Sequence, residues 1–225
     1  MARLRLVIAN RNYSSWSMRA WVLLRESGIE FEEILLKFSP DISVVGIERY
    51  SPAGKVPVLL VDGEPVWDSL AIFETVAELF PEKDVWPRDP RARQVARSAC
   101  AEMHSGFEAM RHSMPMNIRG RHPGKGMNPE TRRDIDRVVS IWEEFRGKFG
   151  AGGDLLFGRF SAADACYAPV AMRFATYAVE LPAVARAYAE SLRALASVRE
   201  WACAASRETE VLAAEEPYST PSAAP

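Results

Sequence analysis

The stretch NRNYSSWSMRAW, residues 10–21, crowds four hydroxyls where a short apolar run gives way to a helical pattern: Tyr13, Ser14, Ser15 and Ser17. Hydroxyls at such a point can cap the helix. They can also hold an anion, or a sulfur that must become one, because a helix N-terminus favours negative charge. Two other stretches invite the same double reading. Val56-Pro57 precedes an apolar run, where proline is tolerated as a strand begins. Asp68-Ser69 opens a second helical pattern, and neither is followed three residues later by Glu or Gln, so no reciprocal capping box forms there. Ser161 and Asp164 do fit S-x-x-D ahead of an apolar helix, and that signature reads as structural.

The elements that must position these residues fall into two sets. Leu4–Ala9 reads as a strand, Ser17–Ser27 as a helix stopped by Gly28, and Phe31–Lys37 as a second strand. Asp41–Tyr50 reads as a short, weak helix. Val58–Val61, the turn Asp62-Gly63 and Pro65–Trp67 read as a hairpin, and Ser69–Phe80 as a closing helix. The order is βαβ followed by ββα. The run PEKDVWPRDP then reads as a linker, placing domains at 1–82 and 93–215 with residues 83–92 between them. Beyond it the periodicity is helical, over Arg91–Met110, Glu130–Phe149, Ala162–Tyr177, Pro182–Leu195 and Val198–Glu208. The Arg/His/Gly-rich segment 111–133 reads as a long, mobile, solvated connection, and residues 216–225 as a disordered tail.

Composition excludes several function classes. A net charge of −2 argues against nucleic acid or a membrane surface as the main partner. Three scattered cysteines, Cys100, Cys166 and Cys203, form no CxxC, so neither a disulfide framework nor a zinc site is expected. That usage fits a reducing, cytoplasmic setting, and the short opening apolar run is expected to be neither a signal core nor a membrane span.

Three segments together resemble the glutathione transferase family. SSWSMR after the first strand resembles the serine motif of its zeta-like members. SPAGKVPVLLVDGEPVWDSLAIFETVAELFP resembles the family's run from the Val-Pro turn through the acidic-Ser pair. GRFSAADACYAP resembles the capped helix of its C-terminal domain. The resemblance implies a thioredoxin-like α/β N-terminal domain, an all-α C-terminal domain, glutathione as substrate or cofactor, no metal, and a homodimer.

It also implies roles. The catalytic serine falls on Ser14, with Ser15 and Ser17 as neighbouring candidates and Tyr13 close by; Trp16 stands where the zeta motif has cysteine, and Trp21 where it has a second arginine. Ser15 and Ser17 could equally be caps. The Val56-Pro57 bond is implied to be cis, offering Val56's backbone to the glutathione cysteine, with Lys55 reaching toward the glycine carboxylate. Asp68 would meet the γ-glutamyl amine and Ser69 its carboxylate. Met103, His104, Phe107 and Arg111 would wall the second-substrate pocket. Arg173 resembles in placement an anion-binding arginine of isomerase-type members.

The leading functional expectation is a glutathione transferase that activates the thiol for attack on an electrophilic small molecule. A serine hydroxyl would donate to the sulfur without being the nucleophile itself. The alternatives are a glutathione-dependent isomerase of maleylacetoacetate-like diacids and a non-catalytic glutathione-binding module. Thiol–disulfide exchange is disfavoured, because no cysteine stands at the first helix's N-terminus.

Overall fold

Along β1, Leu4–Ile8, side chains alternate between two apolar surfaces, as strand geometry requires. Leu4, Leu6 and Ile8 join one core with the helices, while Val7 joins a second, smaller core on the opposite face. The computed structural model describes residues 2–219 of the chain. In it β1 pairs in parallel with β2, Glu32–Leu35, and antiparallel with β3, Val58–Val61, which pairs antiparallel with β4, Glu64–Trp67. The sheet order is β2-β1-β3-β4. The β3–β4 turn has positive φ at both Asp62 and Gly63, the geometry that suits the right-handed twist of a hairpin.

Helix α1, Ser15–Glu26, ends in a left-handed Gly28, with Gly28 N–H donating to Arg25 C=O and Ile29 N–H to Leu24 C=O. That pair of bonds is a Schellman stop. Helix α2, Ser69–Leu79, closes the sheet domain. Residues 41–50 depart from the expected helix: Ile42 and Gly46 take positive φ, and only a 3-10 turn forms at Ile47–Arg49. This irregular segment covers the second face of the sheet with Val44 and Ile47. Local turn bonds among Ser39, Asp41 and Ser43 win over helix there.

The remaining elements are α3 (Pro90–Ser105), α4 (Glu108–Ser113), α5 (Pro129–Phe149), α6 (Ala162–Thr176), α7 (Ala183–Ala194) and α8 (Ala196–Ala205). The single helix expected over 91–110 is therefore two, broken at Gly106 and at Phe107, whose φ is 62°. A Cβ at Gly106 would stand 3.0 Å from the Glu102 carbonyl. Beyond residue 90, only isolated β-bridges occur among the described residues. The chain forms a thioredoxin-like mixed sheet domain followed by a helical domain, the two-part architecture that the resemblance implies.

Helix α6 is buried on nearly every side and packs against α1, α3 and α7. Its start carries the capping box read from Ser161 and Asp164. Val85 of the interdomain segment is buried, and its carbonyl accepts from Ala162 N–H at 2.7 Å.

Two expectations of mobility are overturned. The connection after α4 is anchored: Met114, Met116 and Ile118 are buried, and Asn117 Oδ1 accepts from Asn12 Nδ2 at 2.9 Å. The tail is ordered through Ser219, since Glu216 accepts from Tyr13 and Tyr218 donates to the Ser113 carbonyl at 2.8 Å. Both segments bind side chains remote in sequence, which composition alone does not register. Residues 220–225 of the expected disordered tail lie outside the described residues.

Candidate active site

Ser14 is the N-cap of α1, its hydroxyl accepting from Ser17 N–H at 3.4 Å and donating to Ser17 Oγ at 2.7 Å. Capping by Ser15 or Ser17 is thus corrected: Ser15 and Ser17 lie within the helix, at its first and third positions. Ser17 Oγ accepts from Ala9 N–H at 3.1 Å, tying the helix to the end of β1. Ser15 Oγ accepts from Arg173 Nη2 at 3.4 Å, so α6 reaches the same helix N-terminus. All three serines are buried. The Tyr13 hydroxyl turns instead to the tail and the 114–128 connection: it accepts from Arg119 Nη2 at 2.9 Å and Leu212 N–H at 3.3 Å, and donates to Glu216. Burial and the Glu216 carboxylate raise its pKa.

The Val56-Pro57 bond is cis. Neither the N–H nor the C=O of Val56 has a partner among the described residues, and Lys55 beside it is exposed. Asp68 caps α2, with Oδ1 accepting from Leu70 N–H at 2.9 Å and φ at 75°. Ser69, at the first turn of α2, is 1% exposed, yet its hydroxyl has no hydrogen-bond partner among the described residues. A buried, unsatisfied hydroxyl at a helix N-terminus is suited to an anionic ligand group.

The residues expected to wall a second pocket separate into three environments. Met103 and Phe107 are buried in the main core. His104 faces Asp68, its Nε2 2.6 Å from Oδ2, and meets Trp16 edge-on with ring centroids 5.0 Å apart. Arg111 and Arg173 converge with Arg19, the arginine that closes the SSWSMR stretch and to which the sequence pattern assigns no role. The guanidinium carbons of Arg19 and Arg111 lie 4.2 and 4.8 Å from the Trp16 ring centroid. Arg111 donates to the carbonyls of Met103 and His104, and Arg173 Nε to that of Met114 at 2.9 Å.

None of these three arginines forms an ion pair among the described residues, and Arg19 Nε and Nη1 and Arg111 Nε have no hydrogen-bond partner there. Burial, then Arg19, lowers Arg111 to about 10; burial, then Arg111 and Arg19, lowers Arg173 to about 9. Guanidinium groups rarely give up their proton, so the shift expresses the cost of gathering positive charge away from water. Glu215 of the tail is an acid near Arg173, and burial raises its pKa, while Asp134 and Glu108 lie near Arg111. Trp16 and Arg19 lie inside the serine motif, and that position was the only signal that could have flagged them.

Among the described residues, no group of three His, Cys, Asp or Glu side chains could hold a metal, and no helix is long and apolar enough to cross a membrane. Cys100 and Cys166 are buried, and Cys203 is exposed.

Residues 13–79 match the family model for the glutathione S-transferase N-terminal domain, and residues 128–202 that for the C-terminal domain. The chain is 26% identical over 175 residues to maleylacetoacetate isomerase of Rattus norvegicus, covering 75% of this chain and 77% of that protein. It is 24% identical over 154 residues to maleylacetoacetate isomerase of Dictyostelium discoideum, covering 65% and 70%. Among solved structures, a glutathione transferase homolog from Burkholderia GL BGR1 with bound glutathione superposes with a TM-score of 0.70 at 21% identity, over 92% of this chain and 100% of that one. Glutathione transferase Omega 2S of Trametes versicolor gives 0.67 at 22% identity, over 89% and 92%.

Proposed function

The chain belongs to the glutathione S-transferase family, and we propose that it binds glutathione across the N-termini of α1 and α2 and activates its thiol for attack on an electrophilic small molecule. The observation that carries this reading is the bridge between those two termini. Trp16, beside the serines, packs on His104, which holds Asp68, next to the unsatisfied Ser69 hydroxyl. The glutathione cysteine pairs with the free backbone of Val56 in the manner of an added strand, within the domain at residues 1–82. Its γ-glutamyl carboxylate meets Ser69 and the α2 N-terminus, its amine meets Asp68, and its glycine carboxylate extends toward Lys55.

The sulfur then lies at Ser14. A free thiol titrates near 8.5, and lowering that by about two units takes about 2.7 kcal/mol of preference for the anion. A hydrogen bond from Ser14 supplies part of it, and the α1 N-terminus supplies more. The helical domain, residues 93–215, presents the electrophile. The test is thiolate absorbance of the glutathione complex against pH, with turnover of a panel of electrophiles. A bound thiol that titrates like the free one, with no turnover, would refute the reading in favour of a binding module.

A second reading has one observation in its favour. Three guanidinium groups without carboxylate partners, those of Arg19 and Arg173 buried and that of Arg111 half-buried, suit an anionic second substrate, as in isomerisation of a maleylacetoacetate-like diacid. There glutathione adds to the double bond, rotation follows, and elimination regenerates the thiol. Comparing a cis-diacid with a neutral electrophile separates the readings. Arg173→Met should reduce turnover of the diacid by about a hundredfold and of the neutral compound little. The family resemblance also motivates a cytoplasmic homodimer, which sedimentation at micromolar concentration would check.

A further inference from the structure

His104 belongs by sequence pattern to the wall of the second-substrate pocket, but its geometry points the other way. Its Nε2 is 2.6 Å from Asp68 Oδ2, across from α3 to the start of α2. The other carboxylate oxygen, Oδ1, is taken by Leu70 N–H. A carboxylate offers about four lone-pair positions, so this one keeps acceptor capacity after both contacts. Its side chain is still 43% exposed, against 29% for His104, leaving room for a cation to approach. The imidazole is itself held in place. Trp16 meets its ring at 71°, and Arg111 Nη2 donates to the His104 backbone carbonyl at 3.3 Å.

We infer that His104 is a positioning residue for glutathione. By donating from Nε2 it fixes the Asp68 carboxylate so that the remaining lone pairs meet the γ-glutamyl ammonium. This rests on the reading of Asp68 as the ammonium's partner. A donor on Nε2 fixes the direction of the carboxylate while leaving its other lone pairs to the ligand. Ordering the acceptor beforehand removes a cost that binding would otherwise bear. The contact also gives Trp16 a purpose that the family motif did not supply. Standing where that motif has cysteine, it backs the imidazole from the α1 side. Thiol donors with a free amine at the γ-glutamyl end should accordingly be preferred over the N-acetylated peptide.

The experiment compares the parent with His104→Leu, His104→Gln, Asp68→Asn and the Asp68→Asn/His104→Leu pair. It measures KM for glutathione, KM for the electrophile and kcat, with calorimetric glutathione binding and a thermal melt for each variant. His104→Leu should raise the glutathione KM and Kd roughly three- to tenfold, because the pair is partly exposed and screened. The electrophile KM and kcat should stay within about twofold, and His104→Gln, whose amide can donate to the same oxygen, should recover most of the loss. The pair should be no worse than Asp68→Asn alone. If Asp68→Asn weakens glutathione binding and His104→Leu does not, the inference is overturned while the reading of Asp68 stands. Should His104→Leu raise the electrophile KM instead, His104 returns to the second-substrate pocket. If neither variant moves glutathione binding, the reading of Asp68 fails, and the inference with it.

Discussion

The Ser14 hydroxyl donates to the Ser17 hydroxyl at 2.7 Å, while Ser17 Oγ also accepts from the N–H of Ala9. Ser14 can therefore reach a thiolate only by turning its hydrogen away from Ser17. Ser17 has a hydrogen of its own and can donate back to Ser14 once that happens. Under the proposed function the two serines would act in series, Ser14 on the sulfur and Ser17 behind it.

Ser14→Ala should raise the pKa of bound glutathione by about one to two units and lower turnover at neutral pH, with affinity mostly intact. The hydrogen bond strengthens only as charge appears on the sulfur, so its loss falls on turnover more than on binding. Ser17→Ala should shift the thiol in the same direction by less. It should also cost about 1–3 kcal/mol of stability, because the buried Ala9 N–H loses its acceptor. Thiolate absorbance against pH and urea unfolding measure the two effects. A parent-like titration in Ser14→Ala would move the sulfur contact to another hydroxyl.

Tyr13→Phe supplies the contrast. Its hydroxyl joins Arg119, Leu212 and Glu216, so it holds the tail and the connection after α4 in place. Removing it should cost about 1–3 kcal/mol of stability and leave the thiol titration unchanged. A raised thiol pKa in Tyr13→Phe would contradict the arrangement.

The features legible in the sequence were local ones. Asp62-Gly63 makes its hairpin, Gly28 its helix stop, and Ser161 with Asp164 their box, because each is decided within a few residues. The order of strands and helices followed from such signals, and with it the fold. The misread features depend on partners far along the chain. Glu216 meets Tyr13 across 203 residues and looked like disordered tail, and the contact of His104 with Asp68 across 36 left no local signal. The break at Gly106 carried a local signal, yet the apolar spacing of Met103, Phe107 and Met110 ran straight through it.

Ser69→Ala should leave the free protein as stable as the parent or slightly more so. The parent hydroxyl is 1% exposed and satisfied by nothing among the described residues, so deleting it removes a desolvation cost. Glutathione affinity should fall by about ten- to a hundredfold if the γ-glutamyl carboxylate takes that hydrogen bond. Calorimetry and thermal melts on one pair of samples measure both. Unchanged affinity would move the carboxylate elsewhere.

Asp164 ties stability to pH. Its carboxylate accepts from Leu156 N–H, Ser161 N–H, Ser161 Oγ and Tyr188 Oη, at 2.8 to 3.0 Å. Burial nevertheless pushes it up from 3.8 to about 6, outweighing those four donors. The folded chain thus holds this proton more tightly than the unfolded chain does. The stability it contributes is complete below the unfolded value, near 3.8, and is lost as pH rises to about 6. Asp164→Asn removes the titration and turns an NH2 group toward neighbours that are all donors, which should cost about 2–4 kcal/mol. Urea unfolding of parent and variant from about pH 4 to about pH 7 follows both effects. The parent's advantage should shrink as pH rises through that window and level off above it. A constant or growing advantage would mean that the four donors, and not burial, decide the charge of this carboxylate in the folded chain.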